Sequence, residues 1–239
     1  MKLDILYEDE YLIACVKPYG VPSQPDKTYG LDMVTAVMEY LDSPEVYVIN
    51  RLDRPVGGII LFAKDQNTAA KLTDMVQDGQ IQKYYQVVVS GLMEEAEGTY
   101  EDFLLHDKKS NVTRVVDKNT KGAKKAVLNY EVLDELDTDE GSISYLLVEL
   151  VTGRHHQIRC QMASHGTPVW GDTKYGKEQT GKGGKPNPKS SKKKSSGRVS
   201  EIGLYSSRME FIHPITKEEI FLHKEPEGAA FDILDQMDW

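Results

Sequence analysis

Three short segments hold the residues of this chain that could do chemistry. In Arg51-Leu52-Asp53-Arg54-Pro55-Val56-Gly57-Gly58 a single carboxylate lies between two guanidinium groups at the mouth of a Gly-Gly turn. Neighbouring cations favour the ionised acid. Pro55 lacks an N–H, and the glycines admit positive φ and close backbone approach, so the turn presents Asp53 at a cleft edge. Alone, such a motif is more often an ion pair or a turn cap, because ion-pair networks are common. In Gly153-Arg154-His155-His156-Gln157-Ile158-Arg159, a helix starting near Arg154 places His155 and Arg159 four apart on one face. Ile158 and Met162 then share an apolar face, so Arg159 could meet a carboxylate while Ile158 anchors the helix. Adjacent histidines on a helix diverge, and a two-His metal face needs a spacing of four, so no metal is expected. In Lys83-Tyr84-Tyr85-Gln86-Val87 the two tyrosines of a strand point to opposite faces. One packs inward, and the other can line a cleft where its ring stacks on a base.

The elements that must position these groups are read from periodicity. Leu3 to Tyr7 and Tyr11 to Val16 are β-rich runs, closed by a turn at Lys17-Pro18-Tyr19-Gly20. Leu31 to Leu41 has helical apolar spacing. Val46 to Asn50 and Ile59 to Phe62 read as buried strands flanking the Asp53 turn. Thr68 to Ile81 reads as a helix with Asn67 or Asp65 as its N-cap, and Tyr84 to Val89 as an aromatic, β-branched strand. Val127 to Val132 and Ile143 to Val151 are strands joined by an acidic hairpin loop, Asp134 to Glu140. Arg154 to Ser164 is a helix closed by Gly166, with Thr152 as candidate cap. Ile202 to Ile212 and Glu219 to His223 form a last hairpin, and Phe231 to Trp239 a short terminal helix. Strands outnumber helices and do not alternate with them, which predicts an α+β fold with a mixed, largely antiparallel central sheet flanked by helices, in one domain over residues 1–239.

Composition narrows the class. A chain of 239 residues, 39% hydrophobic and 28% charged, fits a globular protein. It has no apolar run of membrane-spanning length and no signal-like N-terminus. Cys15 and Cys160 form no metal or redox spacing, so buried thiols and a cytoplasmic location are expected. A net charge of −9 argues against a simple polycation. Lys177 to Arg198 nevertheless holds seven lysines and one arginine against one glutamate. This Gly/Lys/Ser-rich stretch, 176–200, is expected to be a flexible basic loop, either solvated or reaching RNA phosphates.

The segments, in this order, resemble the RluA family of RNA pseudouridine synthases. The family pattern runs His-Arg-Leu-Asp-Arg, then Lys-x-Tyr, then Gly-Arg-x-His-Gln-Ile-Arg. This chain has Arg51-Leu52-Asp53-Arg54, Lys83-Tyr84-Tyr85 and Gly153-Arg154-His155-His156-Gln157-Ile158-Arg159. Flanking matches are Tyr7-Glu8-Asp9-Glu10, Lys17-Pro18-x-Gly20, Gly166-x-Pro168-x-x-Gly171-Asp172 and His213-Pro214. Asn50 replaces the usual His, and the turn reads Pro-Val-Gly-Gly rather than Thr-Ser-Gly-like. The pattern starts within the first ten residues, so no S4-like module is expected and RNA recognition falls to the catalytic domain.

The resemblance implies the pseudouridine synthase fold and isomerisation of uridine to pseudouridine in transfer or ribosomal RNA. The N-glycosidic bond breaks, uracil rotates and C5 re-bonds to C1′. Asp53 would be the essential carboxylate, attacking C1′ or removing a C2′ proton. Tyr85 would stack on the uracil, and Arg159 would pair with Asp53. Arg51, Arg54, Arg154, His156, Gln157 and Ile158 would complete the substrate-binding set, with Arg51 filling the place of the flipped base or holding its phosphate. No cofactor is implied, because nothing is oxidised and no external group is transferred. A monomer with RNA as its partner is expected. Two other readings are weighed. A non-catalytic RNA-binding or ribosome-assembly protein on the same fold would have lost the acid or its partner, and both are present. A glycosidase needs two carboxylates flanking one bond, for which distant Asp172 is the one candidate beside Asp53.

Overall fold

The computed structural model describes residues 1–26, 30–138, 141–176 and 201–232. The basic stretch 177–200 and most of the segment expected as a terminal helix, residues 233–239, lie outside the described residues. The chain divides into two compact units, Met1–Tyr85 with Tyr205–Glu227, and Gln86–Leu204 with Gly228–Trp239.

The first unit is built on a buried sheet. β1 (Asp4–Glu8), β2 (Leu12–Lys17) and β4 (Gly57–Ala63) are successive antiparallel neighbours, and β4 runs parallel to β10 (Leu204–Ile212). The short β3 (Tyr47–Val48) pairs with β4, and β11 (Glu219–His223) closes a hairpin with β10. β4 is buried along its whole length, which is why its sequence is a continuous apolar run rather than an alternation. Leu12, Ala14, Ile59 and Leu61 face Ala69 and Leu72 of α2 (Gln66–Gln77). Ile13, Cys15, Ile60 and Phe62 face Met33 and Val37 of α1 (Met33–Leu41) on the other side. Both helices are capped by an aspartate: the carboxylates of Asp32 and Asp65 accept from the N–H groups of Thr35 and Thr68 at 3.0 and 2.9 Å. Asp65, rather than Asn67, is therefore the cap of α2. That helix stops short of Ile81 because Gly79 turns to φ +71 and Gln80 N–H closes on the Met75 carbonyl at 2.8 Å.

The chain passes into the second unit within β5 (Gln82–Ser90). That unit carries a fully antiparallel set in the order β9 (Gly141–Glu149), β8 (Lys124–Thr138), β6 (Glu97–Asp107), β7 (Val112–Val115). The acidic stretch expected as a hairpin loop is instead strand as far as Thr138. Glu135, Leu136 and Asp137 pair with Ser144, Ile143 and Ser142, after a register shift between Val132 and Asp134. The charges tolerate this because alternate residues of the arm stay exposed.

α3 (Gln157–Ser164) packs Cys160 and Ala163 against Leu104, Ala126 and Tyr175. It starts three residues later than its sequence suggests. His156 adopts a left-handed conformation at φ 52 and stands at the N-cap position. Thr152 caps nothing; its hydroxyl donates to Gln157 Oε1 at 2.8 Å. His155 is accordingly off the helix and shares no helical face with Arg159. α4 spans Ala229–Asp232, two residues ahead of the expected start at Phe231. Eleven strands and four helices among the described residues make this an α+β protein. No helix among them is long and apolar enough to cross a membrane.

Candidate active site

Asp53 sits on a turn whose backbone is fastened on both sides. Before it, the Ser23 hydroxyl donates to the Leu52 carbonyl at 2.8 Å and accepts from Leu52 N–H at 3.0 Å. After it, the Arg54 carbonyl accepts from Gly20 N–H at 2.8 Å and from Lys17 Nζ at 3.3 Å, and Val56 N–H closes the turn on the Asp53 carbonyl at 3.0 Å. Leu52 and Val56 are buried, whereas Asp53 is half-buried and Arg51 exposed. The close approach that the Gly-Gly pair permits is used by β10: a Cβ on Gly57 would meet the Tyr205 ring at 2.9 Å, and one on Gly58, at φ +112, would run into the Ser206 backbone. Arg54 serves the scaffold, donating to the Gly20 carbonyl at 2.9 Å and lying 3.8 Å from Asp26. Asn50, where the family pattern has His, bridges to β4 by donating to the Ile59 carbonyl at 3.1 Å and accepting from Leu61 N–H at 2.7 Å.

Lys17, marked in the sequence only as part of a turn and of a flanking match, lies against the Asp53 turn. It is wholly buried, with Nζ donating to the carbonyls of Pro18 and Val21 at 3.0 and 2.7 Å as well as to Arg54. Burial lowers its pKa to about 7, with the charge of Asp53 pulling back and that of Arg54 adding to the depression. Tyr85 faces inward and is buried, while Tyr84 faces outward beneath the Arg208 guanidinium, 3.8 Å from its ring. The two tyrosines thus diverge as neighbours on a strand should. Burial pushes the Tyr85 phenol up to about 12, opposed by the Ser206 hydroxyl and reinforced by the charge of Asp53. It is therefore a protonated aromatic within the electrostatic reach of that carboxylate.

In the second unit Arg159 is buried, not the exposed residue an arginine on a helix usually is. Its Nε and Nη2 donate to the two oxygens of Asp172 at 2.6 and 2.9 Å, a bidentate, charge-assisted pair. Asp172 also accepts from Lys174 and Tyr175 N–H at 2.9 and 3.2 Å. Burial raises the Asp172 carboxyl, but the Arg159 hydrogen bond and charge, with the two amides, outweigh it and the net direction is down. The Tyr175 ring lies 5.3 Å from the guanidinium carbon. Asp172, considered above as a possible second catalytic carboxylate, is thus the seat of Arg159.

The other predicted residues of this unit have scaffold contacts. Gln157 Oε1 accepts from Arg154 N–H at 2.9 Å, and Nε2 donates to the Val127 carbonyl at 3.1 Å. Ile158 and Met162 are buried. Arg154 is exposed and donates to the Lys125 carbonyl at 2.9 Å. His156 Nδ1 lies 2.7 Å from the Tyr175 hydroxyl, with its ring stacked 3.7 Å from His155.

Residues 11–164 match the family described as RNA pseudouridylate synthase. The chain belongs to the RluA-type RNA pseudouridine synthases. It isomerises uridine to pseudouridine in RNA. A Vibrio parahaemolyticus protein named tRNA pseudouridine synthase C is 29% identical over all of this synthase and 96% of its own length. A Pasteurella multocida protein of the same name is 31% identical, over 100% and 98%. The Bacillus subtilis protein named uncharacterized RNA pseudouridine synthase YjbO is 31% identical, over 92% of this synthase and 71% of its own length. The fold is shared with human RNA Pseudouridylate Synthase Domain Containing 1, at TM-score 0.71 and 18% identity, covering 94% of this chain and 84% of that one.

Proposed function

We propose that this synthase modifies transfer RNA and that Asp53 is its reacting carboxylate. The target class is supported by relatives named tRNA pseudouridine synthase C, which align along all of this chain and nearly all of their own length. The role of Asp53 is supported by one observation above the others: its turn is fastened at Leu52 and Arg54 while the carboxylate stays half-exposed near the buried phenol of Tyr85. A group that must meet C1′ or C2′ of a flipped nucleotide gains from a backbone that does not rearrange.

Flipping costs a few kcal/mol, and base–aromatic stacking of about 1–3 kcal/mol offsets it. Tyr85 is assigned that stacking. Arg159, gripped by Asp172, is assigned by the family pattern to the Asp53 carboxylate, as the cation that keeps it ionised. Ile158 packs beneath the base, and Arg51, Arg54, Arg154, His156 and Gln157 are assigned to the RNA around it; for Arg54, Arg154, His156 and Gln157 this is additional to their scaffold contacts. Attack on C1′ and proton removal at C2′ both use the ionised carboxylate. No cofactor or metal enters this scheme, because the isomerisation moves no electrons to or from an external group. We place the enzyme in the cytoplasm as a monomer and take residues 1–239 as one catalytic domain. The buried thiols Cys15 and Cys160 suit a reducing compartment.

The test is release of tritium from uridine C5, which the new C–C bond expels, with transfer RNA and ribosomal RNA as separate substrates. Wild-type release from transfer RNA, and none from Asp53→Ala folded to the same circular dichroism, is the expected result. Release from ribosomal RNA alone would sink the target class, and release by the variant would sink the role of Asp53.

A further inference from the structure

An acidic protein carries, in the described part of its second unit, a strongly basic stretch that the catalytic assignment leaves unused. Residues 106–125 hold six lysines and one arginine against two aspartates, in a chain of net charge −9. They form the β6–β7 turn, β7 and the loop leading into β8. Lys108, Lys109, Arg114, Lys118, Lys121 and Lys124 are all exposed. Both aspartates are taken up by their own turns. The Asp107 carboxylate accepts from Lys109 N–H at 2.9 Å and the Ser110 hydroxyl at 2.7 Å, and Asp117 accepts from Asn119 N–H at 2.8 Å. The acids shape the loops, and the lysines project from them.

This hairpin is not a loose appendage. Lys174 Nζ donates to the Asn111 carbonyl at 3.0 Å, and Thr113 N–H donates to the Tyr175 hydroxyl at 2.9 Å. The Thr113 hydroxyl donates to the His155 carbonyl at 2.9 Å, and His106 stacks on His155 at 3.8 Å. Lys174 and Tyr175 are the residues whose amides fasten Asp172, and so seat Arg159. The hairpin is therefore tied by hydrogen bonds to the residues that hold Asp172.

We propose that the β6–β7 hairpin and the loop following it are an RNA-contact surface, taking backbone phosphates of the substrate through these lysines. Phosphate contacts fix register without reading sequence, and clustered lysines on rigid turns suit that task. The inference rests on RNA being the substrate and deepens the transfer RNA reading.

The experiment measures RNA affinity between low and moderate salt for Lys108→Gln/Lys109→Gln, Lys118→Gln/Lys121→Gln and the combined variant, on transfer and ribosomal RNA. Lys2→Gln/Lys71→Gln, exposed lysines of the first unit, is the charge control. The combined variant should bind about tenfold more weakly, with the salt slope falling by about 0.7–0.9 for each phosphate no longer neutralised. Tritium release at saturating RNA should stay near wild type, because the deficit lies in binding. Unchanged affinity and slope, or an equal weakening in the control, overturns the proposal, as does a wild type that binds neither RNA. A wild type that binds transfer RNA with this lysine dependence yet releases no tritium from it would instead sink the transfer RNA reading alone.

Discussion

A buried guanidinium is costly unless its charge and its hydrogen bonds are both answered, and Arg159 shows how this synthase answers them. Asp172 binds it through two oxygens and is itself held by two backbone amides. Removing one partner leaves the other charged and buried, so Asp172→Asn should lose about 3–5 kcal/mol of stability at pH 7. The pH dependence has a definite sign. The folded carboxyl is held below its ordinary value, so its contribution is complete above the unfolded pKa of about 3.9 and is lost as pH falls through the lower folded one. Urea unfolding at pH 7 and at pH 3 should show the gap between wild type and variant narrowing at the lower pH. A gap that holds constant would mean that Asp172 stabilises by packing rather than by charge.

At the scale of elements, the Asp53 turn works because β4 is anchored before and after it. β4 has β2 on one edge and, at opposite ends of the other, β3 and β10, and it is buried along its whole length. Asn50 extends the short β3 by lending a side-chain amide to the ladder, donating to Ile59 and accepting from Leu61. Asn50→Ala leaves a backbone donor and acceptor of a buried strand without these partners, which costs about 1–3 kcal/mol. The variant's urea midpoint should fall accordingly with its m-value unchanged; an unchanged midpoint would show that water or neighbouring backbone takes over both bonds. β2 and β4 were legible as strands because a fully buried strand is a short apolar run between turn residues. The start of α3 was not, because the left-handed His156 breaks the helix before Gln157 without any glycine or proline to mark it. The acidic arm of β8 was misread as a loop for a related reason. Its charges look like turn chemistry until β9 is laid beside it.

At the scale of the whole molecule, charge is distributed against the net balance. The hairpin lysines and the lysine-rich stretch 177–200, which lies outside the described residues, are islands of positive charge in an acidic chain. Deleting Gly181 to Ser196 removes six lysines. It should weaken RNA binding and flatten its salt dependence while thermal unfolding stays close to wild type. Binding unchanged across salt would assign the stretch to solvent. The two surfaces separate in the double perturbation: independent phosphate contacts add in log affinity, and shared ones do not.

The amino-acid order by itself determined the family, hence the reaction. It also determined most strands and helices, because hydrophobic periodicity and capping are local properties that a chain carries wherever it folds. The Asp53 turn belonged to that category, written in consecutive residues. The tertiary structure alone decided the fate of each charge. Arg159 found Asp172, Lys17 was buried against three carbonyls beside Asp53, and Tyr85 rather than Tyr84 turned inward. Burial and pairing depend on groups brought together from distant parts of the chain, and the free energy of a charge is set by those neighbours rather than by the residue that bears it.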